Sequence, residues 1–430
     1  MAGQVLAQNL PSHPAFRTRA LVAGSEAASE PTWKKLDSLP SFRTEFSQIQ
    51  VDKSLLINVC GPWCAEAPFQ LEETFKTAAA ARSVTGVDLM SNWKGRLSQR
   101  PAAFGLRNDF TIFWPGTPPF HLLAIVNRLD LAKWDRAARR WNGAETRFVY
   151  GESQGKEFTV IVEFQYRPLT WSEFKDLAAV WRELSSCQSA GDCLKTRLDR
   201  LHATRRTAPG WFDLVKLRTN SNLHQQWHLL HWTLEEDGWQ QGYLEYELDP
   251  ACYAQSQARC DQLFAIWDQL EREQGVRAYT VPRALLLDEK AYGAQIAMPY
   301  ILDRRSPAAR NLLALQQCSH CHLEETKTRF THIANRKPDE CVAALSPFLT
   351  GTNPNAGLDD LRSQRQTHEV VVEPARHCSG TPCPPLPKIT RYFHDLGRRR
   401  LFLAAVLAAS AQENETQADA IGQFGTDFSH

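Results

Sequence analysis

Alternation is clearest in Phe158-Thr159-Val160-Ile161-Val162-Glu163-Phe164-Gln165-Tyr166, where Phe158, Val160, Val162, Phe164 and Tyr166 share one side of a two-residue period. This predicts a strand with one apolar face, and Pro168 ends it because proline cannot donate to a ladder. Thr170 and Glu173 then stand at capping-box spacing and predict a helix through Trp181 to about Leu184. Shorter apolar runs at 55–59, 121–126 and 147–150, the last ending at Gly151, read as further strands. The β-pattern returns over 211–217, 227–234 and 239–248, with Asp237-Gly238 as a hairpin signal. Between these runs, 193–206 reads as a basic helical stretch. After them, 257–273 reads as an amphipathic helix with Leu263, Ile266, Trp267 and Leu270 on one side.

A last section opens at Ser306-Pro307, an N-cap followed by proline at the first helical position, and its helix runs through Leu312, Leu313 and Leu315 to Cys318. Proline-rich loops follow, and a final helix is expected from about 394 to 410. Its apolar run at 401–407 is too short to cross a bilayer and is expected to pack on the core. Strands and helices are interspersed without a βαβ period or an internal repeat. The expected fold is therefore α+β: an antiparallel sheet core with flanking helices and a small, loop-rich C-terminal helical section. The expected divisions are a mixed segment over 1–100, an α+β core over 101–305 and a C-terminal section over 306–430.

Composition narrows the classes. A chain of 430 residues can bury a large core as two or three domains, or as one large one with additions. No apolar run reaches the roughly 18 residues of a membrane span, so no integral membrane span is expected. With 49 basic and 48 acidic side chains the net charge is +1, which excludes a global attraction for phosphate backbones; no nucleic-acid partner is expected. The clusters Arg205-Arg206 and Arg398-Arg399-Arg400 read as solvated faces.

Ten of the 11 cysteines fall in close pairs: Cys60/Cys64, Cys187/Cys193, Cys252/Cys260, Cys318/Cys321 and Cys378/Cys383, leaving Cys341. Local pairs in this number suggest disulfides and a periplasmic or extracellular location. The start MAGQVLAQNLPSHPAF lacks a basic region followed by an apolar core, so the chain reads as a mature form with an added start. The stretch LLINVCGPWCAEAP resembles the active-site turn of thioredoxin-like proteins, but Ala67 stands where the second cysteine of the couple belongs. A Cys60–Cys64 disulfide pinning a turn is the expectation there.

The stretch QQCSHCH at 316–322 carries the candidate chemistry. C-x-x-C-H is the spacing of covalent c-type haem attachment, with thioethers from Cys318 and Cys321 to the porphyrin vinyl groups and His322 on the iron. In a chain of this composition its chance expectation is about 0.01 occurrences. The motif resembles that of c-type cytochromes. More broadly, NRLDL at 127–131, RFVYG at 147–151, CSHCHLEETKTRFTHI at 318–333 and LSPFLTG at 345–351 resemble a group of uncharacterised secreted bacterial proteins, which implies export and gives no activity. The methionines are Met1, Met90 and Met298, none after the motif, so a sixth ligand falls to histidine or the position stays open. His332 is the nearest downstream candidate, with His368, His377 and His394 further off. Two other readings use the same atoms: a tetrahedral zinc site from Cys318, Cys321, His332 and Cys341, or disulfides and thiols with His322 at the surface.

Asn127, Arg128 and Asp130 follow a buried strand, where polar residues can line a cleft, although an Arg–Asp pair closing a loop is the commoner reading. The 13 tryptophans read as core. His228 and His231 would point to opposite faces of a strand and do not read as a metal pair with His224. The function expected is that of an exported mono-haem c-type protein, passing electrons to a redox partner protein or carrying out haem-based oxidation. The alternatives are a disulfide-stabilised secreted binding or structural protein without a redox cofactor, and a zinc-stabilised module.

Overall fold

The alternating stretches become strands of one sheet in the computed structural model. It describes residues 34, 36–58, 69–98, 120–152, 157–187, 193, 196–197, 212–221, 228–242, 292–293, 322, 326–328, 331–336, 340, 342–372, 389–410 and 421. The expected helices over 257–273 and 306–318 lie outside the described residues. So do Cys60, Cys64, Cys252, Cys260, Cys318, Cys321, Cys341, Cys378 and Cys383.

The strands are β1 (Leu56–Ile57), β2 (Phe120–Arg128), β3 (Lys133–Asp135), β4 (Arg140–Asn142), β5 (Glu145–Glu152), β6 (Phe158–Tyr166), β7 (Phe212–Ser221), β8 (His228–Glu235), β9 (Gly238–Gln241) and β10 (Tyr292–Gly293). Eight of them form one sheet in the order β1-β2-β5-β6-β7-β8-β10, with β9 also paired to β8, and β3 and β4 make a separate ladder. The pairings in the large sheet are antiparallel. Register follows the apolar pattern: Val162 lies opposite Phe148 on β5 and Leu217 on β7, and Leu217 lies opposite Trp232 on β8. A slip by one residue would turn this whole set to the other face. At the β8–β9 hairpin the positive φ falls on Gly238 (+106°), the arrangement of a turn closed by a glycine bulge, which agrees with the Asp237-Gly238 signal.

Helices α1 (Phe42–Gln48), α2 (Val51–Ser54), α3 (Leu71–Ala81), α4 (Leu89–Ser98), α5 (Trp171–Glu183), α6 (Pro347–Thr350), α7 (Leu358–Arg362) and α8 (Asp395–Ala408) flank the sheet, so the fold is α+β as expected. Helix α3 covers the apolar face: Phe75 packs 5.3 Å from Trp239 and 5.8 Å from Trp93 of α4, and Thr74 Oγ1 meets Tyr150 OH at 2.6 Å. Helix α5 starts at its predicted capping box, with Glu173 Oε2 accepting from the Thr170 N–H at 2.8 Å and the Glu173 N–H donating to Thr170 Oγ1 at 3.3 Å. Trp171, Phe174, Leu177, Ala178 and Trp181 recur at helical spacing and are buried. Phe174 stacks on Trp141 at 4.7 Å, and Phe402 of α8 meets Trp141 edge-on. The expected packing of 401–407 on the core is therefore found, with Leu401 to Val406 buried. Side chains from all three expected sections join one buried cluster from Leu36 to Ile421. The expected Cys187–Cys193 disulfide is formed. No helix among the described residues is long and apolar enough to cross a membrane.

Strands β11 (His368–Val372) and β12 (Ile389–Phe393) form a two-stranded ladder in the C-terminal section. Ahead of it, residues 331–336 lie across the sheet. Asn335 Nδ2 donates to Glu152 O at 2.8 Å, Arg336 Nη2 donates to Leu122 O at 3.2 Å, and Ile333 bridges Leu345. Gly151 permits this approach, since a Cβ there would meet Asn335 Oδ1 at 2.0 Å.

Candidate functional site

Residues that alternate with the apolar face point to the opposite side of the sheet, and there they are charged. Arg147 on β5 lies opposite Glu163 on β6, Glu163 lies opposite Lys216 on β7, and Arg218 lies opposite His231 on β8. Such positions on an antiparallel sheet usually meet water. Here Arg147, Glu163, Lys216 and His231 are buried. The C-terminal section supplies the cover, and between cover and sheet lies a cavity of about 130 Å³. Its sheet side carries Leu56, Val126, Val149, Ile161 and Leu229 together with Arg128, Arg147, Glu163 and Arg218. Its cover carries His322, His332, Ile333, Phe348, Asp395 and Arg399.

Two ion networks border the cavity. In the first, Arg147 Nη2 donates to Glu145 Oε2 at 2.8 Å, while Arg147 Nε and Arg218 Nε lie 3.0 and 3.1 Å from the two oxygens of Glu163. In the second, Arg128 contacts both oxygens of Asp130 at 3.0 and 3.3 Å, and Arg398 Nη2 donates to Asp130 and to Asp395, each at 2.8 Å. Arg399 completes it by pairing with Asp395 Oδ2. Helical spacing explains the last two contacts, because Arg398 and Arg399 stand three and four residues after Asp395 on α8.

Burial alone would raise the carboxyl of Glu163, yet Arg147, Arg218 and Lys216 hold it at about 2. Asp130 is likewise held at about 2 by Arg128 and Arg398 against the effect of burial. Asp395 is held well below the usual carboxylate range, burial again being outweighed by Arg399 and Arg398. All three are anions at neutral pH. Arg147, Lys216 and Arg218 thus surround Glu163, and Arg128, Arg398 and Arg399 surround Asp130 and Asp395.

The two candidate histidines meet in this cavity. His322 is buried, and its ring centroid lies 4.4 Å from that of His332, with the planes tilted by 40°. His332 Nδ1 is hydrogen-bonded to Ser346 Oγ at 3.0 Å and its ring lies 4.7 Å from Phe348, which fixes the ring and leaves Nε2 as the nitrogen that a metal could use. Among the described residues no three Cys, His, Asp or Glu side chains converge as a metal set.

Other candidates have structural duties. Asn127 Nδ2 donates to Ser54 O at 3.0 Å and its Oδ1 accepts from the Leu129 N–H at 2.9 Å. The Arg128–Asp130 pair closes the following loop as expected and also reaches α8. His394 caps α8 through Nδ1, which accepts from the Gly397 N–H at 2.9 Å, while its Nε2 contacts Asn353 O at 2.8 Å. His368 sits in the β11–β12 ladder, and His377 lies outside the described residues. The reading of Arg398-Arg399-Arg400 as a solvated face is overturned. Arg398 and Arg399 join the buried network, and Arg400 lies 4.0 Å over the Phe46 ring while donating to Phe46 O. Helix α8 is apolar over most of its surface, which forces these arginines inward with Asp395 as counter-ion. Arg147, Glu163, Arg218 and Arg399 were not legible as site residues from the sequence. The signal that could have found them is charge of both signs at facing non-core positions of β5, β6 and β7.

No family model, no curated protein and no solved structure matches this chain.

Proposed function

We propose that the chain is an exported haem-c protein in which Cys318 and Cys321 hold the porphyrin and His322 ligates the iron over the charged side of the sheet. The observation that carries this is the place of His322: its buried ring closes a cavity whose walls are apolar and whose floor is rich in arginine. The cavity of about 130 Å³ takes a group of roughly benzene's size, so it would receive only an edge of the macrocycle: Leu56, Val126, Val149, Ile161, Leu229 and Phe348 suit an apolar rim, and the lining arginines suit a carboxylate. Bound there, a haem supplies one-electron transfer to a redox partner protein, or oxidation where the iron keeps an open position. The Cys187–Cys193 disulfide supports a periplasmic or extracellular location.

His332 does not fit as a ligand across the ring in this arrangement. Iron–nitrogen bonds of about 2 Å put opposed imidazole centroids roughly 6 Å apart, and these two stand at 4.4 Å. The spacing lies nearer to a second reading, in which His322 and His332 bind one ion such as zinc side by side, with cysteine thiolates completing the set: two imidazoles on one tetrahedral ion have centroids roughly 5 Å apart.

Intact mass, visible spectrum and metal content separate these readings when the protein is exported by a host that makes c-type cytochromes. One covalent haem with a Soret band, lost in a Cys318→Ala, Cys321→Ala double variant, supports the first. A colourless protein carrying one equivalent of zinc supports the second. A colourless, metal-free protein at apoprotein mass sinks both and returns the chain to a disulfide-stabilised binding protein.

A further inference from the structure

Arg399 is the one buried cation lining the cavity whose guanidinium is left half used. It is 6% exposed and pairs with Asp395 through Nη2, while its Nε and Nη1 have no hydrogen-bond partner. Buried donors in that state are costly and rare in native proteins. Arg128 and Arg218 line the same cavity, and Val126, Ile161 and Phe348 give it apolar wall beside its polar residues. A group that satisfies this site carries negative oxygen at one end and an apolar body at the other.

We propose that the Arg399 side of the cavity binds a carboxylate attached to an apolar body. The same chemistry has two sources: a carboxylate of the cofactor proposed above, or a free organic acid that is the protein's substrate or ligand. The site does not depend on the cofactor reading, because its donors belong to α8 and the sheet alone.

The test is calorimetric titration of benzoate, with neutral benzamide as the matched control, into protein made with and without haem-attachment machinery and into an Arg399→Lys variant. Lysine keeps a cation for Asp395 but loses the planar donors. The expected result is that benzoate binds the haem-free protein at least tenfold more tightly than benzamide, and that Arg399→Lys removes about tenfold of this preference. If haem-loaded protein no longer binds benzoate, the site serves the cofactor's own carboxylate; if both forms bind it, the site takes a free acid. Should Arg399→Lys fail to fold, wild-type crystals soaked in 4-bromobenzoate locate the bromine by anomalous scattering, and density beside Arg399 is the supporting result. Equal or absent binding of benzoate and benzamide, or bromine elsewhere, overturns the proposal. The visible spectrum of the same samples reports on haem separately, so a colourless protein that binds benzoate fails the cofactor reading while keeping this one.

Discussion

The two faces of the β5–β6–β7 ladder arise from one alternation and are both dry, but different chemistry keeps water out. On one face Phe148, Val162, Phe164 and Leu217 pack under α3 and α4 as core. On the other, Arg147, Glu163 and Lys216 are buried, and the cavity over them is closed by residues 331–333 with Phe348 of α6 and Asp395 and Arg399 of α8. The first face stabilises by removing apolar area from water. The second carries desolvated charges whose mutual attraction roughly offsets their burial, a poor way to build stability and a good way to hold a site in one geometry. The difference teaches that a buried face is not by itself a core.

The comparison can be broken first at its apolar side. Phe164→Ala should cost about 3–5 kcal/mol in denaturant unfolding, and a loss under 1 kcal/mol would mean that this face is not the core. On the charged side, Glu163→Gln leaves Arg147 and Arg218 without their shared anion and should cost about 3 kcal/mol. A smaller effect, about 1–3 kcal/mol, is expected for Gly151→Ala, because its Cβ drives Asn335 off β5. If the cover docks there as described, that variant should also raise hydrogen exchange in 331–336 while leaving α5 protected. The helix cap lies away from both faces, and Thr170→Ala should cost about 1 kcal/mol, read from the shift of the urea midpoint.

Acid offers a further separation. Glu163 and Asp130 titrate at about 2 when folded, below their ordinary 4.5 and 3.8. His121, whose two ring nitrogens are buried without hydrogen-bond partners, is pushed by burial and by Arg336 from 6.5 to about 4. In each case the unfolded chain binds the proton more readily, so the stability these groups contribute is present at neutral pH and is lost as pH falls. The loss begins through His121 between pH 6.5 and 4 and continues through the carboxylates between 4.5 and 2. His121→Phe should flatten the first part of a melting-temperature profile and leave the second. A profile flat from pH 7 to 3 in the parent would contradict the buried network.

The apolar face was legible in the sequence because it repeats. Phe158 to Tyr166 alternates, Thr170 and Glu173 sit at cap spacing, and Asp237-Gly238 marks its hairpin; all three lead to the observed elements. The charged face was not legible for the same reason. Alternation tells which residues leave the core, and it says nothing about what then covers them. Arg398, Arg399 and Arg400 look solvated in a list of residues, and only the packing of α8 against α1 and the turn at Asp130 makes them internal. His322 and His332 were named from motif and proximity in the chain, but their contact and the arginines beneath them depend on a strap held by Asn335, Arg336 and Ser346, residues with no periodic signature.

The charged face and the C-x-x-C-H turn are proposed to form one site, although just over a hundred residues separate Arg218 from His322. The most direct test is the reduction potential of exported, haem-loaded protein beside its Arg218→Gln variant. If the haem is held over the charged face as proposed, removing the part-buried Arg218 cation should lower the potential by on the order of 50 mV. A haem that attaches normally and keeps its potential unchanged would show that the charged face and the cofactor are separate, and the account would be contradicted.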